Sequence, residues 1–401
     1  MKKVVAILLV VAMIGLMAAC AAPATPAASS AAPASSAPAA PSEAPAVSSE
    51  APAASSEAPA ASSPAAAVDL KGKKLGFINA GPDDYYAQFG NALKAMAGVY
   101  GIEVTELNSD YKPEKELANC QDLIAKGVDA IAVITAGAAG SAATIKAAND
   151  AKVPIFFIAG KPATQTGSDY QGWVSDNFVI MGYTIGKWVA EKYPDAKDKI
   201  VNIPGFLGQG PAEGELVGFQ LALDEAKMGT AFLTKSSEWQ RTLAIPITQD
   251  LVASGRDFKV VFACNEETAA GVIQVFEEQN VKDKIIVSNN GKEEAWEWMK
   301  QGKMSATVPN PPSLNADLCM QQIVRQLSGQ KFEKDLQIMP WAVLTKDNVD
   351  QAIPWKIETY LTGRAANKFK YDLAYYEEQY VKNKQMFADF DAKLAAYMAK
   401  K

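Results

Sequence analysis

Histidine is absent from this chain, and that gap removes much of the chemistry a protein of this length could perform. Without an imidazole there is no Ser-His-Asp or Cys-His catalysis, no histidine general base and no histidine metal ligand. The four cysteines, Cys20, Cys120, Cys264 and Cys319, show no CxxC spacing, which argues against a zinc site or a redox pair. A glycine-rich turn at 205–210 (Gly-Phe-Leu-Gly-Gln-Gly) follows an apolar run and leads into a helical one. It invites a phosphate-cradle reading, yet it lacks the Gly-Lys-Ser/Thr of a P-loop and departs from GxGxxG. No nucleophile-base pair or cofactor fingerprint stands out, so the chain reads as a binding protein and not an enzyme, with no cofactor and no metal. A formal net charge of −6 speaks against a nucleic-acid partner, since nucleic-acid binders usually carry a basic face.

The elements that must carry such a site fall into regions of different composition. Residues 1–20 read as an export signal: Lys2 and Lys3, an apolar run over 4–17, then Met17-Ala18-Ala19-Cys20. The apolar run is shorter than the ~20 residues that span a bilayer. The ending resembles the lipobox of bacterial lipoproteins, in which the cysteine becomes the lipidated first residue. That resemblance implies a protein anchored by lipid on Cys20 to the cell membrane, on its extracellular or periplasmic face. Residues 21–67 are almost only Ala, Pro, Ser, Thr and Glu, with three heptads from Ser42 (SEAPAVS, SEAPAAS, SEAPAAS). Each heptad carries a helix-breaking proline and no large apolar residue, so a disordered tether is expected and not a coiled coil.

From about residue 68 apolar runs alternate with amphipathic stretches. Strands are predicted at 75–80, 102–107, 129–135 and 153–159, with helices at 85–100, 114–126 and 138–151 between and after them. The rhythm restarts with helices at 178–193, 211–226, 243–254, 267–279, 293–300 and 314–327 and strands at 199–203, 260–264, 284–288 and 305–308. This alternation predicts an α/β fold of two doubly wound parallel-sheet lobes. In such sheets ligands bind beyond the carboxyl ends of the strands.

Three stretches carry a family resemblance. Residues 115–124 (KELANCQDLI) followed by 127–131 (GVDAI), Ser175-Asp176-Asn177 followed by a helix with Gly182 and Gly186, and residues 265–271 (NEETAAG) are similar in order to ribose-type (type I) periplasmic sugar-binding proteins. The resemblance runs from about 74 to 327. It implies the receptor of an ABC importer, expected as a monomer, with lobes at 68–175 plus 311–340 and 176–310 plus 341–356. Crossings would lie near 174–176, 309–312 and 339–342, and 357–401 would be an extension beyond the family's usual end.

The resemblance also implies a ligand-facing set. Tyr85, Tyr86 and Trp239 match ring-stacking positions, and Asn265 matches a hydroxyl-binding asparagine. Asn290 stands where the family usually has Asp, and Asn310 where it often has Gln. Asp84, Lys161, Asp176, Glu215 and Arg241 complete the expected set. Rings cover the C–H faces of a sugar, while fixed amides and carboxylates bond its rim. The pattern departs from the family in two places. The Asp-Arg after the fourth strand is replaced by Gly160-Lys161, and a family arginine gives way to acids around Glu213 and Glu215. Arg and Lys are not interchangeable in a bidentate contact, so a simple aldopentose is not expected. A sugar-like polyhydroxy ligand delivered to an ABC permease is the leading reading. An amine-bearing or nucleoside ligand, or a sensory receptor signalling to a membrane partner, is the alternative. The aromatic residues of 353–401 are expected to form a strap packed on the lobes.

Overall fold

A computed structural model describes residues 70–338 and 342–400. The export signal, Cys20, the tether and most of the crossing expected near 339–342 lie outside the described residues. The first lobe opens β1 (Lys74–Asn79), α1 (Asp84–Val99), β2 (Glu103–Asn108), α2 (Pro113–Ala125), β3 (Ala130–Val133), α3 (Ala138–Asp150), β4 (Ile155–Ile158), β5 (Gly172–Asp176). The chain then builds a second lobe from α4 (Phe178–Lys192), β6 (Ile200–Ile203), α5 (Gly210–Glu225), β7 (Phe232–Leu233), α6 (Arg241–Ala253), β8 (Val260–Ala263), α7 (Glu266–Glu278), β9 (Ile285–Asn290), α8 (Glu293–Lys300) and β10 (Ala306–Pro309). It returns to the first lobe with α9 (Pro312–Leu327) and β11 (Asp335–Ile338), and ends in α10 (Ile357–Ala365) and α11 (Leu373–Met398).

Both sheets are parallel, in the orders β11-β5-β4-β3-β1-β2 and β10-β9-β8-β6-β7. Helices cover both faces, so inner strands such as β3 (AIAV) and β4 (IFFI) are apolar and buried at every residue. The two-residue period of a strand splits them between two cores. Phe77 and Phe156 join one face of the first lobe, while Ile78 and Phe157 join the other. Val261 and Val260 divide in the same way in the second lobe. The short strands β5, β7 and β11 carry no clear alternation of their own in the sequence. Neighbouring strands, not local pattern, select them.

The lobes are joined where β5 runs into α4 and where β10 runs into α9 through Pro311. The Nδ2 of Asn315 on α9 donates to Asp176 Oδ2 at 2.9 Å, tying those two crossings together. After β11 the chain reappears beside the second sheet, where Leu344 and Thr307 exchange backbone hydrogen bonds of 2.8 and 3.0 Å. It then passes back once more. Val349 belongs to the second lobe's core, whereas Ile353, Ile357 and Tyr360 belong to the first's.

The 26-residue α11, ~39 Å long at 1.5 Å per residue, touches both lobes. Near its start Leu373 and Tyr376 are buried in the first lobe, and Glu377 pairs with Arg325 at 2.9 Å. Near its end Phe390 packs edge-on against Tyr183 of α4. Lys393 pairs with Glu225 at 3.1 Å, and the Tyr397 hydroxyl donates to Asp224 at 2.8 Å on α5.

Helices α4 and α5 approach unusually closely, and glycine permits it. A Cβ on Gly218 would stand 1.9 Å from the carbonyl oxygen of Val179, and one on Gly182 would stand 2.2 Å from that of Glu215. Backbone cannot yield as a side chain can, so Gly218→Ala is expected to cost about 1–3 kcal/mol in thermal or denaturant unfolding, the range of overpacked cores. Gly98→Ala, on α1 with nothing within 4 Å of a new Cβ, should be neutral or raise stability by up to about 1 kcal/mol.

Candidate functional site

Between the lobes, at the carboxyl ends of both sets of strands, lies a cavity lined by Asp83, Tyr85, Tyr86, Phe178, Pro211, Glu215, Trp239, Asn265 and Asn290. The first lobe contributes the start of α1. Asp83 is its N-cap, with Oδ1 accepting from the Tyr86 amide at 2.9 Å and Oδ2 accepting from the Tyr111 hydroxyl. This cap places Tyr85 and Tyr86 in the first turn, with ring centroids 5.5 Å apart.

The second lobe contributes side chains from five places. Phe178 opens α4 behind its N-cap Asn177, and Glu215 projects from the second turn of α5. Trp239 sits in the β7–α6 turn, where Glu238 and Trp239 both take a positive φ (50° and 66°). The indole lies over Gly205, where a Cβ would meet it at 2.3 Å. Its Nε1 donates to Gln209 at 3.2 Å. The 205–210 loop is therefore a seat for a tryptophan. Asn265 caps α7 through Thr268 N at 2.9 Å and donates to the Trp239 carbonyl at 3.3 Å. Asn290 ends β9 with φ 96°. Two lining residues other than glycine, Trp239 and Asn290, thus have left-handed backbone, the kind of local strain that surrounding structure sustains at functional positions.

Of the ligand-facing set named from the sequence, Tyr85, Tyr86, Glu215, Trp239, Asn265 and Asn290 meet on this cavity. Asp84 stands at its mouth. Asp176 and Asn310 lie behind it, joined through Asn315 Nδ2, which donates to Asp176 at 2.9 Å and to Asn310 Oδ1 at 3.2 Å. Lys161 and Arg241 do not line it, and the expectation for them is corrected. The Lys161 ammonium is drawn over the Trp173 ring at 4.9 Å and toward Asp335 at 3.7 Å. Arg241 is held by Glu267 and Glu294 at 3.2 and 3.4 Å.

Asp83, Phe178, Lys292 and Trp355 stand in or beside the cleft and are outside the ligand-facing set named from the sequence. Lys292 is 11% exposed in its side chain and bridges the lobes, 2.8 Å from Asp84 and 2.9 Å from Glu267. Trp355 reaches in from the tail. Its Nε1 donates to the Asn290 carbonyl at 2.7 Å, and its ring packs 5.2 Å from that of Tyr85. No local motif marks either residue, since both act through contacts remote in sequence. On the other flank the Tyr111 and Phe206 rings stack across the cleft at 5.9 Å. With these contacts made, the cavity offers about 20 Å³ to a water-sized occupant, room for one or two waters. The structure is a closed one.

Burial dominates the electrostatics. It pushes Glu215 well above the ordinary carboxyl range, with the Asn289 amide opposing and Glu266 adding to the rise. It raises Asp83, which the Tyr111 hydroxyl and Tyr86 amide partly restrain. It lifts Asp176 and Glu266 each to about 7. For Lys292 burial works against the charge, and Asp84 and Glu267 more than restore it, so its pKa stands above the usual lysine value. The thiols are inert by the same cause, with Cys264 pushed up to about 12. Among the described residues no cluster of acidic, cysteine or histidine side chains could hold a metal ion. Among them also, no helix is long and apolar enough to cross a membrane.

Residues 75–331 match the family described as periplasmic binding protein domain. Among curated proteins the chain is 26% identical over 254 residues to the ribose import binding protein of Haemophilus influenzae, covering 63% of this chain and 85% of that one. It is 25% identical over 247 residues to the galactofuranose-binding protein of Escherichia coli, covering 60% and 78%. Among solved structures it resembles the periplasmic binding component of the arabinose ABC transporter of Shewanella sp. ANA-3. The TM-score is 0.65 and the identity 23%, over 75% of this chain and 99% of that one. The fold is thus that of the two-lobed type I periplasmic binding proteins, as the resemblance in the sequence implied.

The buried acids set a pH dependence. The folded pKa of Asp176, about 7, lies above its ordinary value of 3.8. Between those values the unfolded chain has released a proton that the native protein keeps. Stability from this group is therefore full at low pH and is lost as pH rises toward 7. Glu266 acts in the same sense from 4.5 to about 7. Asp176→Asn should make the fall in urea-unfolding free energy over that window shallower; an unchanged slope would show that Asp176 ionises normally.

Proposed function

This chain belongs to the periplasmic binding protein domain family, and on that premise we propose that it is the substrate-binding component of an ABC importer, capturing a sugar-like polyhydroxy ligand between its lobes. Ribose, galactofuranose and arabinose are what the similar proteins are named for. The observation that carries the reading is the meeting of rings and amides from both lobes on one cavity. Tyr85 and Tyr86 come from the first, and Trp239, Asn265 and Asn290 from the second.

A ligand that touches both lobes favours the closed state by its differential affinity for it. The Lys292–Asp84 pair and the Tyr111–Phe206 stack join residues of opposite lobes, so they form with closure and add to it. The hinge bends where the paired crossings at Asp176 and Asn310 lie. On this reading the ligand is released unchanged to the permease. The lipid anchor on Cys20 and the tether over 21–67 would hold the lobes outside the cell near that permease.

A thermal-shift panel of sugars and polyols against the full-length protein tests the reading. A true ligand at one hundred times its Kd should stabilise the protein by about 2.7 kcal/mol. Trp239→Ala and Asn265→Ala should each weaken the response, the second also costing about 1 kcal/mol of stability through the lost helix cap. A panel without any shift would refute the function. The anchor is tested separately: Cys20→Ser should move the protein from the membrane fraction to the medium or periplasm, and retention of the variant in the membrane fraction would refute lipidation there.

A further inference from the structure

We infer that the cleft is built for a cationic guest, a polyhydroxy ligand that carries a protonated amine against Glu215. The inference rests on the reading of the cavity as a ligand site and deepens it. Two carboxyl groups line the cavity, and no lysine or arginine does. Asp83 is satisfied within the protein by Tyr111 and the Tyr86 amide. Glu215 is not. It is 2% exposed, and its Oε2 is buried without a hydrogen-bond partner. The Oδ1 of Asn290, across the cavity lining, is likewise buried and unpartnered. Both of these atoms are acceptors and call for donors on the guest, while the Tyr85 hydroxyl, also buried and unpartnered on the lining, can donate or accept.

The surroundings of Glu215 supply no positive charge. The titratable groups facing it are Glu266, Cys264, Tyr86 and Asp83, all acidic or neutral. Lys292, in the adjoining space, is held by Asp84 and Glu267. Glu215 cannot withdraw either, because the close contact of its carbonyl with Gly182 pins its turn of α5. A carboxylate buried without a counter-charge is costly unless a cation arrives with the guest. An ammonium brings three donors and that charge together. The faces of Tyr85, Tyr86, Phe178 and Trp239 around the same space attract a cation through their quadrupoles.

The mouth has the same sign. Asp84, Glu267, Glu293 and Glu294 stand there against Lys292 and Lys356, a local excess of negative charge that concentrates cations. The exchange balances: R–NH3+ enters, and the proton that burial, by raising its pKa, favours on the Glu215 carboxyl passes to solvent, leaving the carboxylate as the counter-ion.

Isothermal titration of the full-length protein with matched pairs tests this: D-glucosamine against D-glucose, D-galactosamine against D-galactose, D-mannosamine against D-mannose. At least one amine should bind tighter than its neutral partner by about tenfold or more, the scale of a desolvated charge pair. Its binding should also release protons, seen as an enthalpy that varies with the buffer. Glu215→Gln, whose folding is checked by thermal unfolding, should abolish the proton release and the preference, so that within this variant the amine binds no tighter than its neutral partner. A neutral sugar that binds as tightly as its amine, or a preference unchanged in Glu215→Gln, overturns the inference and leaves the sugar-receptor reading standing. Failure of every amine while a neutral polyol binds does the same, and failure of all members of the panel overturns both.

Discussion

Burying both faces of a parallel sheet is the constraint from which the rest follows. Each sheet spends its strand hydrogen bonds on its neighbours and its side chains on the helices above and below, so the middle of each lobe holds only core. Phe77 and Ile78, or Phe156 and Phe157, show how completely the two faces are used. The polar side chains of the cleft gather where strands end and helices begin. The carboxyl ends of both sheets open on the same cleft, and helix starts there place Asp83, Phe178 and Asn265 as caps or first-turn residues. Capping and lining are thus done by the same side chains. A substitution at Asn265 therefore acts on stability and on the cleft at once, and the two effects have to be separated by measurement.

The polar groups between the lobes pair with one another at the hinge and at the rim, although Asp176, Asn310 and Asn315 each keep one buried atom unpartnered. Asn315 joins Asp176 and Asn310 behind the cavity, and Lys292 joins Asp84 to Glu267 in front of it. On the cavity lining itself Glu215 Oε2, Asn290 Oδ1 and the Tyr85 hydroxyl are buried without a partner. A closed cleft whose walls retain open acceptors is held shut at its edges and left incomplete at its centre. Such an arrangement lets a guest with the right donors add to closure and penalises one that lacks them.

The tail adds a feature to this two-lobed plan. Trp355 inserts between the lobes, bonding the end of β9 and packing on Tyr85. Helix α11 then lies on the first lobe through Tyr376 and Glu377 and on the second through Phe390, Lys393 and Tyr397. A rigid helix fastened at both ends limits the paths by which two lobes can part. The second set of contacts is made largely at the surface, where ion pairs such as Lys393–Glu225 are weak. That end of the helix is the one that can yield when the hinge opens.

Much of this was legible before any coordinates. The missing histidine, the rhythm of apolar runs and the ordered stretches around Lys115, Ser175 and Asn265 pointed to the lobes, and Tyr85, Tyr86, Glu215, Trp239, Asn265 and Asn290 were named for the cleft where they now meet. Local sequence determines such things because strand and helix periods, and caps such as Asp83 and Asn265, are properties of a few neighbouring residues. Only the tertiary structure decided that Lys161 and Arg241 turn away to carboxylates nearer to them, that Lys292 and Trp355 close the rim, and that Glu215 Oε2 is left without a hydrogen-bond partner. Those outcomes depend on which groups distant in the chain come within reach of one another, and on how much water is left between them.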